Sequence, residues 1–350
     1  MRERRFEPAM VRSILVVRLY FIGDVLLSTP VLAALKNAFP DATLTVLVKS
    51  RATDVLKNNP YVDEVLEYDA VAGYHGPVWT GRLARKLRRA RFDLAVDLTG
   101  DLRSSWLLFA ADPGFRVGFN HAGFGFLLDR RIPYRASGHG VEHLLSAVAP
   151  IGAETDDPSP RLYLTDNELG DAARLLAEQG VGETARVVGL APGANWEYRR
   201  WSPERFGALA ATLRDRLGLS SVVTGSVADE GLASEVVSCS DGAAVSVAGE
   251  TDIRGLAAVA ARSAVFVAND SGPMHVAASM GTPVVALFGP NTPEVYAPRG
   301  APSRIVWHER PCCPCDQKTC VRADDQCMNA IEVHEVYDAV ESLLSEGVSG

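Results

Sequence analysis

The chain is poor in the features that would give it an easy assignment. No apolar run reaches the length of a membrane span. The best candidate, Ile14 to Leu35, is broken by Arg18, Asp24 and Pro30. The leader MRERRFEPAM is basic but has no apolar signal core behind it, so no secretion signal is read and a cytosolic chain is expected. The first strand-to-helix turn holds a single glycine, Gly23, where a dinucleotide-binding fold would show GxGxxG, which argues against a nicotinamide enzyme. No aromatic stacking pattern or nucleic-acid-binding motif accompanies the basic residues, so no nucleic-acid partner is expected. Cysteine is scarce except in one place: five of the six thiols, Cys312, Cys313, Cys315, Cys320 and Cys327, crowd into 16 residues.

What is present is an α/β alternation. The 350 residues, 47% apolar and 22% charged, have the composition of a globular protein of two ordinary domains. Strands are expected at Ser13–Leu19, Leu44–Val48, Val65–Tyr68, Leu94–Leu98 and Arg116–Phe119. Helices lie between them at Val25–Ala38, Arg51–Asn58 and Trp79–Ala90. The acidic, proline-bearing stretch Glu154–Pro160 reads as a linker. A second set follows, with strands at Val187–Leu190, Ser221–Thr224, Ala244–Val247, Ala264–Ala268 and Val284–Phe288. Its helices are expected at Asp166–Gln179, Pro203–Leu217 and Ile253–Ala261, and a terminal helix at Val333–Ser345. Such alternation implies parallel sheets covered on both faces.

Charge is unevenly shared. Residues 1–150 hold 20 Lys and Arg against 15 Asp and Glu, a net +5, and the remainder carries −13 of the overall −8. Six cations, Arg82, Arg85, Lys86, Arg88, Arg89 and Arg91, fall within ten residues. They form either a solvated helix face or a patch that meets an anionic surface such as lipid phosphate.

The stretch Ala264–Pro290 organises the second half. It reads strand, polar turn, helix, glycine stop, strand. Ser271 or Asp270 can cap the helix that Pro273 opens, and Gly281 ends it. Its first N–H groups would point to the carboxyl edge of a parallel sheet and suit a pyrophosphate. His275, in its first turn, faces the same edge or packs. Pro192-Gly193-Ala194-Asn195-Trp196 leads to Arg199 and Arg200, a glycine turn with two guanidinium groups for phosphate oxygens, or a surface loop with Trp201 in the core. Ser226, Asp229 and Glu230 follow another strand end, where an acid can hold ribose hydroxyls or cap a helix. Asp24 directly follows Gly23 after the first strand, placed for general base or N-cap. The cysteine spacing C-x-C-x4-C-x6-C does not match the two-pair zinc pattern, so a structural loop is favoured, with a metal site or a disulfide left open.

These segments together resemble glycosyltransferase family 9, the ADP-heptose:lipopolysaccharide heptosyltransferases. ILVVRLYFIGDVLLSTPVLAALKNAFPDATLTVLV resembles the family's opening, and DLAVDLTGDLRSSWL with RVGF its fourth-strand segment and the next strand. APGANWEYRRWSPERFGAL, FVANDSGPMHVAASMGTPVVALFGPNTP and CCPCDQKTCVRADDQCMNAIEVHEV resemble its later segments. The resemblance covers roughly residues 12–345, and Asp-Ser-Gly-Pro-x-His is its most specific part. It implies an α/β GT-B architecture, two Rossmann-like parallel-sheet domains facing across a cleft. Residues 1–160 would receive the acceptor, 161–330 the nucleotide-sugar, and 331–350 would return as a helix to the N-terminal domain.

It implies an inverting transfer of a heptose or related sugar from an ADP-sugar to an anionic lipid or lipopolysaccharide inner-core acceptor. Asp24 takes the place of the general base. Asn195, Arg199, Arg200, Ser226, Asp229, Glu230, Asp270, Ser271, Gly272, Pro273, Met274 and His275 fall on the donor side. Asp97, Arg103 and Arg116 fall on the acceptor side. Arg199 stands where many members have Lys. No cofactor and no metal are implied; Cys312, Cys315, Cys320 and Cys327 are left as a structural cluster. Peripheral contact with the inner membrane is implied by the acceptor. Two alternatives stay open: another GT-B nucleotide-sugar enzyme, such as an epimerase or hydrolase, and a non-catalytic envelope-assembly binding protein.

Overall fold

A computed structural model describes residues 5–68, 77–120, 125–133, 138–182, 184–322 and 325–346. The chain divides into two compact units, Met1–Tyr163 and Leu164–Gly350, a boundary three residues beyond the expected 160/161. Each unit is built on a six-stranded sheet in which every recorded pairing is parallel.

In the first unit the strands are β1 Ser13–Arg18, β2 Thr43–Lys49, β3 Glu64–Tyr68, β4 Leu94–Asp97, β5 Phe115–Phe119 and β6 Arg130–Ile132, in the order β3-β2-β1-β4-β5-β6. In the second they are β7 Val187–Ala191, β8 Ser220–Val223, β9 Ala244–Ser246, β10 Ser263–Asn269, β11 Val284–Phe288 and β12 Ser303–Trp307, in the order β12-β11-β10-β7-β8-β9. Counted from its own first strand, each sheet has the 3-2-1-4-5-6 order of a Rossmann fold. The chain reverses direction of travel between β1 and β4, and again between β7 and β10. The loops at the carboxyl ends of those strand pairs therefore diverge to opposite faces and leave room for a ligand.

The central strands are apolar without alternation because both of their faces are covered. On one face of the first sheet, Leu15, Val17, Leu47 and Ala95 pack with Leu83, Ala84 and Leu87 of helix Pro77–Ala90 and with Leu107, Leu108 and Ala111 of helix Leu102–Ala111. The expected helix Val25–Ala38 is two: Ile22–Leu26 and Thr29–Ala38. Pro30 lacks an N–H and sits where a first turn needs none, so the chain restarts there. The stretch expected as a helix at Arg51–Asn58 is a 3-10 turn, Ser50–Leu56.

The expected terminal helix is present as Val333–Glu346. Its buried face, Val336, Tyr337, Val340 and Leu343, joins the core of the second unit with Val265, Val285, Leu287 and Val306. It covers the sheet of the second unit with that face. Among the described residues, no helix is long and apolar enough to cross a membrane.

Candidate active site

The first switch point places Asp24 at the carboxyl edge between β1 and β4. It is the third residue of helix Ile22–Leu26, not its N-cap. Its Oδ2 accepts the Phe21 N–H at 3.3 Å, and its Oδ1 lies 3.3 Å from Arg18 Nη2. Arg18 is the last residue of β1 and is buried. It also donates through Nη1 to the Leu98 carbonyl and through Nε to the Asp24 carbonyl. The guanidinium thus ties the two switch-point loops together and fixes one oxygen of a carboxylate whose side chain remains 33% exposed.

Three cations surround this edge. Arg51 stacks 4.7 Å over the exposed Phe21 ring, and Lys49 Nζ lies 5.6 Å from the same ring. Burial, then Arg51 and Arg103, hold the Lys49 ammonium below its ordinary pKa. Arg103 is exposed and pairs with Asp101 at 3.2 Å.

Asp97 and Arg116, two of the residues expected on the acceptor side, are both enclosed. Asp97, at the end of β4, has no exposure. It accepts from Gly100 N (2.9 Å), Thr99 N (3.0 Å), Ser104 Oγ (2.9 Å) and Ser105 Oγ (3.2 Å). Burial pushes its pKa up to about 6 against those four donors. It organises the turn from inside. Arg116 enters β5 at the opposite, amino end of the sheet and forms a buried two-pronged pair with Asp129 at 3.0 and 3.1 Å.

The second switch point gathers the donor-side candidates. Asn269, fully buried at the end of β10, donates to the Pro192 carbonyl (2.8 Å) and accepts the Trp201 N–H (3.1 Å). It stitches the loop after β10 to the loop after β7. Trp201 packs in the core against Phe206 and donates to the Ile331 carbonyl. Arg200 folds back on its own loop and gives two hydrogen bonds to the Ala194 carbonyl. Asn195 is exposed beside it.

Arg199 turns the other way. Its Nη1 lies 3.2 Å from Asp270 Oδ2, and its Nε donates to Gln317 Oε1 at 2.5 Å. Gln317 Nε2 donates to Asn291 Oδ1 (2.9 Å), and Asn291 Nδ2 donates to Asp270 Oδ2 (2.6 Å). The four side chains close a ring. Burial raises the Asp270 pKa, while Arg199 and then Asn291 oppose the rise. Asn291 and Gln317 were missed in the sequence, as were Arg18, Lys49 and Arg51.

Asp270 is therefore committed to this ring and does not cap the helix Gly272–Ser279. Ser271 occupies the N-cap position but makes no cap bond. Among the described residues its buried Oγ has no hydrogen-bond partner. The first-turn amides, with Pro273 contributing none, are left without a side-chain cap. His275 is buried in that first turn. Met274, another of the expected donor-side residues, is fully buried.

Asp229, for which two roles were expected, has its two oxygens placed differently. One oxygen accepts from Ser226 N (3.0 Å) and Ser226 Oγ (2.6 Å), which is the capping role. Its Oδ1 lies only 2.7 Å from where a Cβ would stand on Gly193, so that glycine is what lets the loops after β7 and β8 approach. Glu230 is turned toward Gly249 instead.

The five clustered thiols line one cavity of ≈ 230 Å³ with Tyr198, Pro290 and Arg310. All are free thiols, and among the described residues no three Cys, His, Asp or Glu side chains are placed to hold a metal ion. The loop that carries them also carries Gln317 into the ring around Asp270.

Two Rossmann-ordered units, each with polar loops at its switch point, define the GT-B class of glycosyltransferase folds. A family model described as "Glycosyltransferase family 9 (heptosyltransferase)" matches residues 80–324. The chain belongs to that family and is a glycosyltransferase. It is 28% identical over 309 residues to lipopolysaccharide heptosyltransferase 2 of Salmonella typhimurium, covering 84% of this chain and 87% of the relative. Among solved structures it is similar to the glycosyl transferase family 9 protein of Veillonella parvula. That match has a TM-score of 0.86 at 25% identity over 96% of this chain and 97% of the other. It also matches E. coli ADP-heptose lps heptosyltransferase II, with a TM-score of 0.79 at 22% identity over 96% and 99%.

Proposed function

We propose that this enzyme moves a heptose, with inversion, from ADP-heptose to a lipopolysaccharide inner-core acceptor. The observation that carries the reading is the uncapped start of the helix Gly272–Ser279, beside the buried Ser271 Oγ that finds no hydrogen-bond partner among the described residues. A helix start without a side-chain cap offers its amides, and the positive end of its dipole, to an anion such as a diphosphate. The relatives named above supply the sugar and the acceptor: one is a lipopolysaccharide heptosyltransferase, the other carries ADP-heptose in its description.

In this reading Asp24 accepts the proton of the acceptor hydroxyl through the oxygen that Arg18 does not hold. The acceptor oxygen bonds to the anomeric carbon as the bond from that carbon to the β-phosphate oxygen breaks. ADP leaves with the electron pair, stabilised by the first-turn amides and the Ser271 hydroxyl. Arg199 and Asp270 shape the donor-sugar pocket, and Asp229 meets the ribose with its remaining oxygen. Lys49, Arg51 and Arg103 meet acceptor phosphate, which agrees with the positive first half. The acceptor's lipid implies peripheral contact with the inner membrane.

The test uses the full chain with a de-acylated core acceptor and ADP-, GDP- and UDP-sugars. Thermal shift ranks the donors, because a ligand at 100 times its dissociation constant stabilises by about 2.7 kcal/mol. ADP release and product stereochemistry then report transfer. Asp24→Asn should bind ADP-heptose as wild type does and lose about 10²–10⁴-fold in turnover. Undiminished turnover in that variant, or a retained anomeric configuration, would sink the mechanism. Hydrolysis or epimerisation without acceptor would favour the other GT-B chemistries.

A further inference from the structure

Helix Leu102–Ala111, sequence LRSSWLLFAA, lies beside helix Pro77–Ala90 on one flank of the first sheet. Its inward face is accounted for by Leu107, Leu108 and Ala111. Its outward face should be polar, as on an ordinary surface helix. Instead it carries Leu102 (52% exposed), Trp106 (39%) and Phe109 (44%), at spacings of four and three residues that align them in one stripe. Arg103 is the helix's one charged residue. The 3-10 turn Gly125–Leu127 packs against this helix and exposes Phe126 as well.

The neighbouring helix is the basic one. Arg82, Arg85, Lys86, Arg88 and Arg89, and Arg91 just beyond it, are all exposed, and Arg88 reaches Asp112 at a loose 3.8 Å. An aromatic and aliphatic stripe beside a row of cations is the chemistry of a surface that lies on an anionic bilayer. The rings enter the headgroup layer and the cations meet lipid phosphate. A second copy of the chain fits less well, since a two-fold contact would bring the same cationic rows together.

We propose that this face of the first unit docks on an anionic lipid bilayer through Trp106 and Phe109, flanked by the cations of helix Pro77–Ala90. The stripe starts at the carboxyl edge of β4, the edge that carries Asp24, and runs about 10 Å away from it at 1.5 Å per residue. A lipid-borne acceptor would thus meet the enzyme with its polar head toward Asp24 and its chains still in the membrane. That last step rests on the function proposed above; the docking does not.

The experiment is vesicle flotation of the full chain. One set of vesicles is neutral phosphatidylcholine, and the other contains about one third phosphatidylglycerol. The wild type should float with the anionic vesicles only, and less at high salt. W106S/F109S should partition about tenfold or more weakly, and R85E/K86E weaker still, since each surface cation contributes about fivefold. Transfer to a de-acylated acceptor should stay at the wild-type level in both variants, while transfer to acylated acceptor in vesicles falls. R85E/K86E alters only solvent-facing side chains, so it carries the test if W106S/F109S fails to fold.

Wild-type protein that does not float with anionic vesicles would overturn the proposal. So would flotation that W106S/F109S leaves unchanged, or a dimer in sedimentation equilibrium that W106S/F109S dissolves. A chain that floats as described but transfers no sugar would leave the docking standing and remove the proposed function instead.

Discussion

Replacing Arg199 by alanine tests the ring at the second switch point. The Arg199–Asp270 pair spans 3.2 Å, with Asp270 all but enclosed. At an effective dielectric of about 20 the gross attraction is about 5 kcal/mol, most of which offsets the desolvation of the two charges. Removing the guanidinium alone leaves a buried carboxylate with Asn291 as its remaining donor, and should cost about 3–5 kcal/mol of stability. Asp270→Asn removes the charge that needs a partner, so R199A/D270N should be less damaged than R199A. The double-mutant cycle should return a coupling of about 2 kcal/mol. The sign with pH is fixed. Burial already raises the Asp270 pKa, and loss of Arg199 raises it further. A group with a raised folded pKa contributes its stability at low pH and loses it as pH rises through that pKa. The deficit of R199A should therefore be small near pH 4 and grow toward pH 8. Urea unfolding of the four proteins at those two ends measures it. A deficit that does not vary with pH, or a coupling near zero, would refute the ring as the support of Asp270.

Other outcomes follow from the same geometry. Asp97→Ala strands four donors and should cost about 3–6 kcal/mol, whereas Asp97→Asn keeps acceptance from Thr99 and Gly100 and should cost less. Because the wild-type carboxyl is raised from 3.8 to about 6, its stability contribution is complete below pH 3.8 and drains away as pH rises through 6. The wild-type advantage over Asp97→Asn should thus shrink by about 3 kcal/mol between pH 3.5 and 7.5, read by denaturant unfolding. Burial and neighbouring thiols push Cys313 up to about 11, so mass-mapped alkylation at pH 8 should label exposed Cys239 long before Cys313. Gln317→Ala opens the ring without removing a charge. It should raise the KM for donor several-fold while leaving the melting temperature within a few degrees, and an unchanged KM would show that the ring does not shape the donor site.

Much of the fold was legible because buried parallel strands are simple to read. SILVVRL, TLTVLVK and VVALF are mostly apolar and bounded by turn residues, and ten of the twelve strands could be placed from such runs. The two that could not, Arg130–Ile132 and Ser303–Trp307, are edge strands, each paired on one side only. Edge position relaxes the demand for apolar residues, and with it the signal. The terminal helix was legible from its apolar stripe, which says that it must pack, but spacing cannot say against which elements.

The site was legible in its local parts and not in its closures. Asp24 and Asp270 announce themselves as acids just beyond buried strands. Their partners do not. Gln317 comes from the cysteine loop and Asn291 from the turn after β11, 47 and 21 positions from Asp270, and nothing near either residue marks it as a ring member. Arg18 did leave a trace: a cation ending an apolar strand needs a counter-charge, and Asp24 lies six residues on.

The two switch points answer the same topological problem with different chemistry. In the first sheet the fourth strand ends in Asp97, whose charge is absorbed by four donors of its own turn. In the second the fourth strand ends in Asn269, a neutral group that can both donate and accept. It stitches Pro192 to Trp201 without bringing a charge into the core. The carboxylate one residue later, Asp270, is then held by an arginine from the neighbouring loop instead of by its own backbone. Asp24 differs from Asp97 in being one third exposed, with Oδ1 at Arg18 and Oδ2 accepting only the Phe21 N–H, which is why the proposed mechanism gives it the proton. Swapping the roles tests this division: Asn269→Asp should bury an uncompensated charge and unfold the second unit first, while Asp97→Asn should leave ADP-sugar turnover largely intact. If Asp97→Asn instead abolished turnover with the fold preserved, Asp97 would belong to the chemistry and Asp24 would lose its claim to be the base.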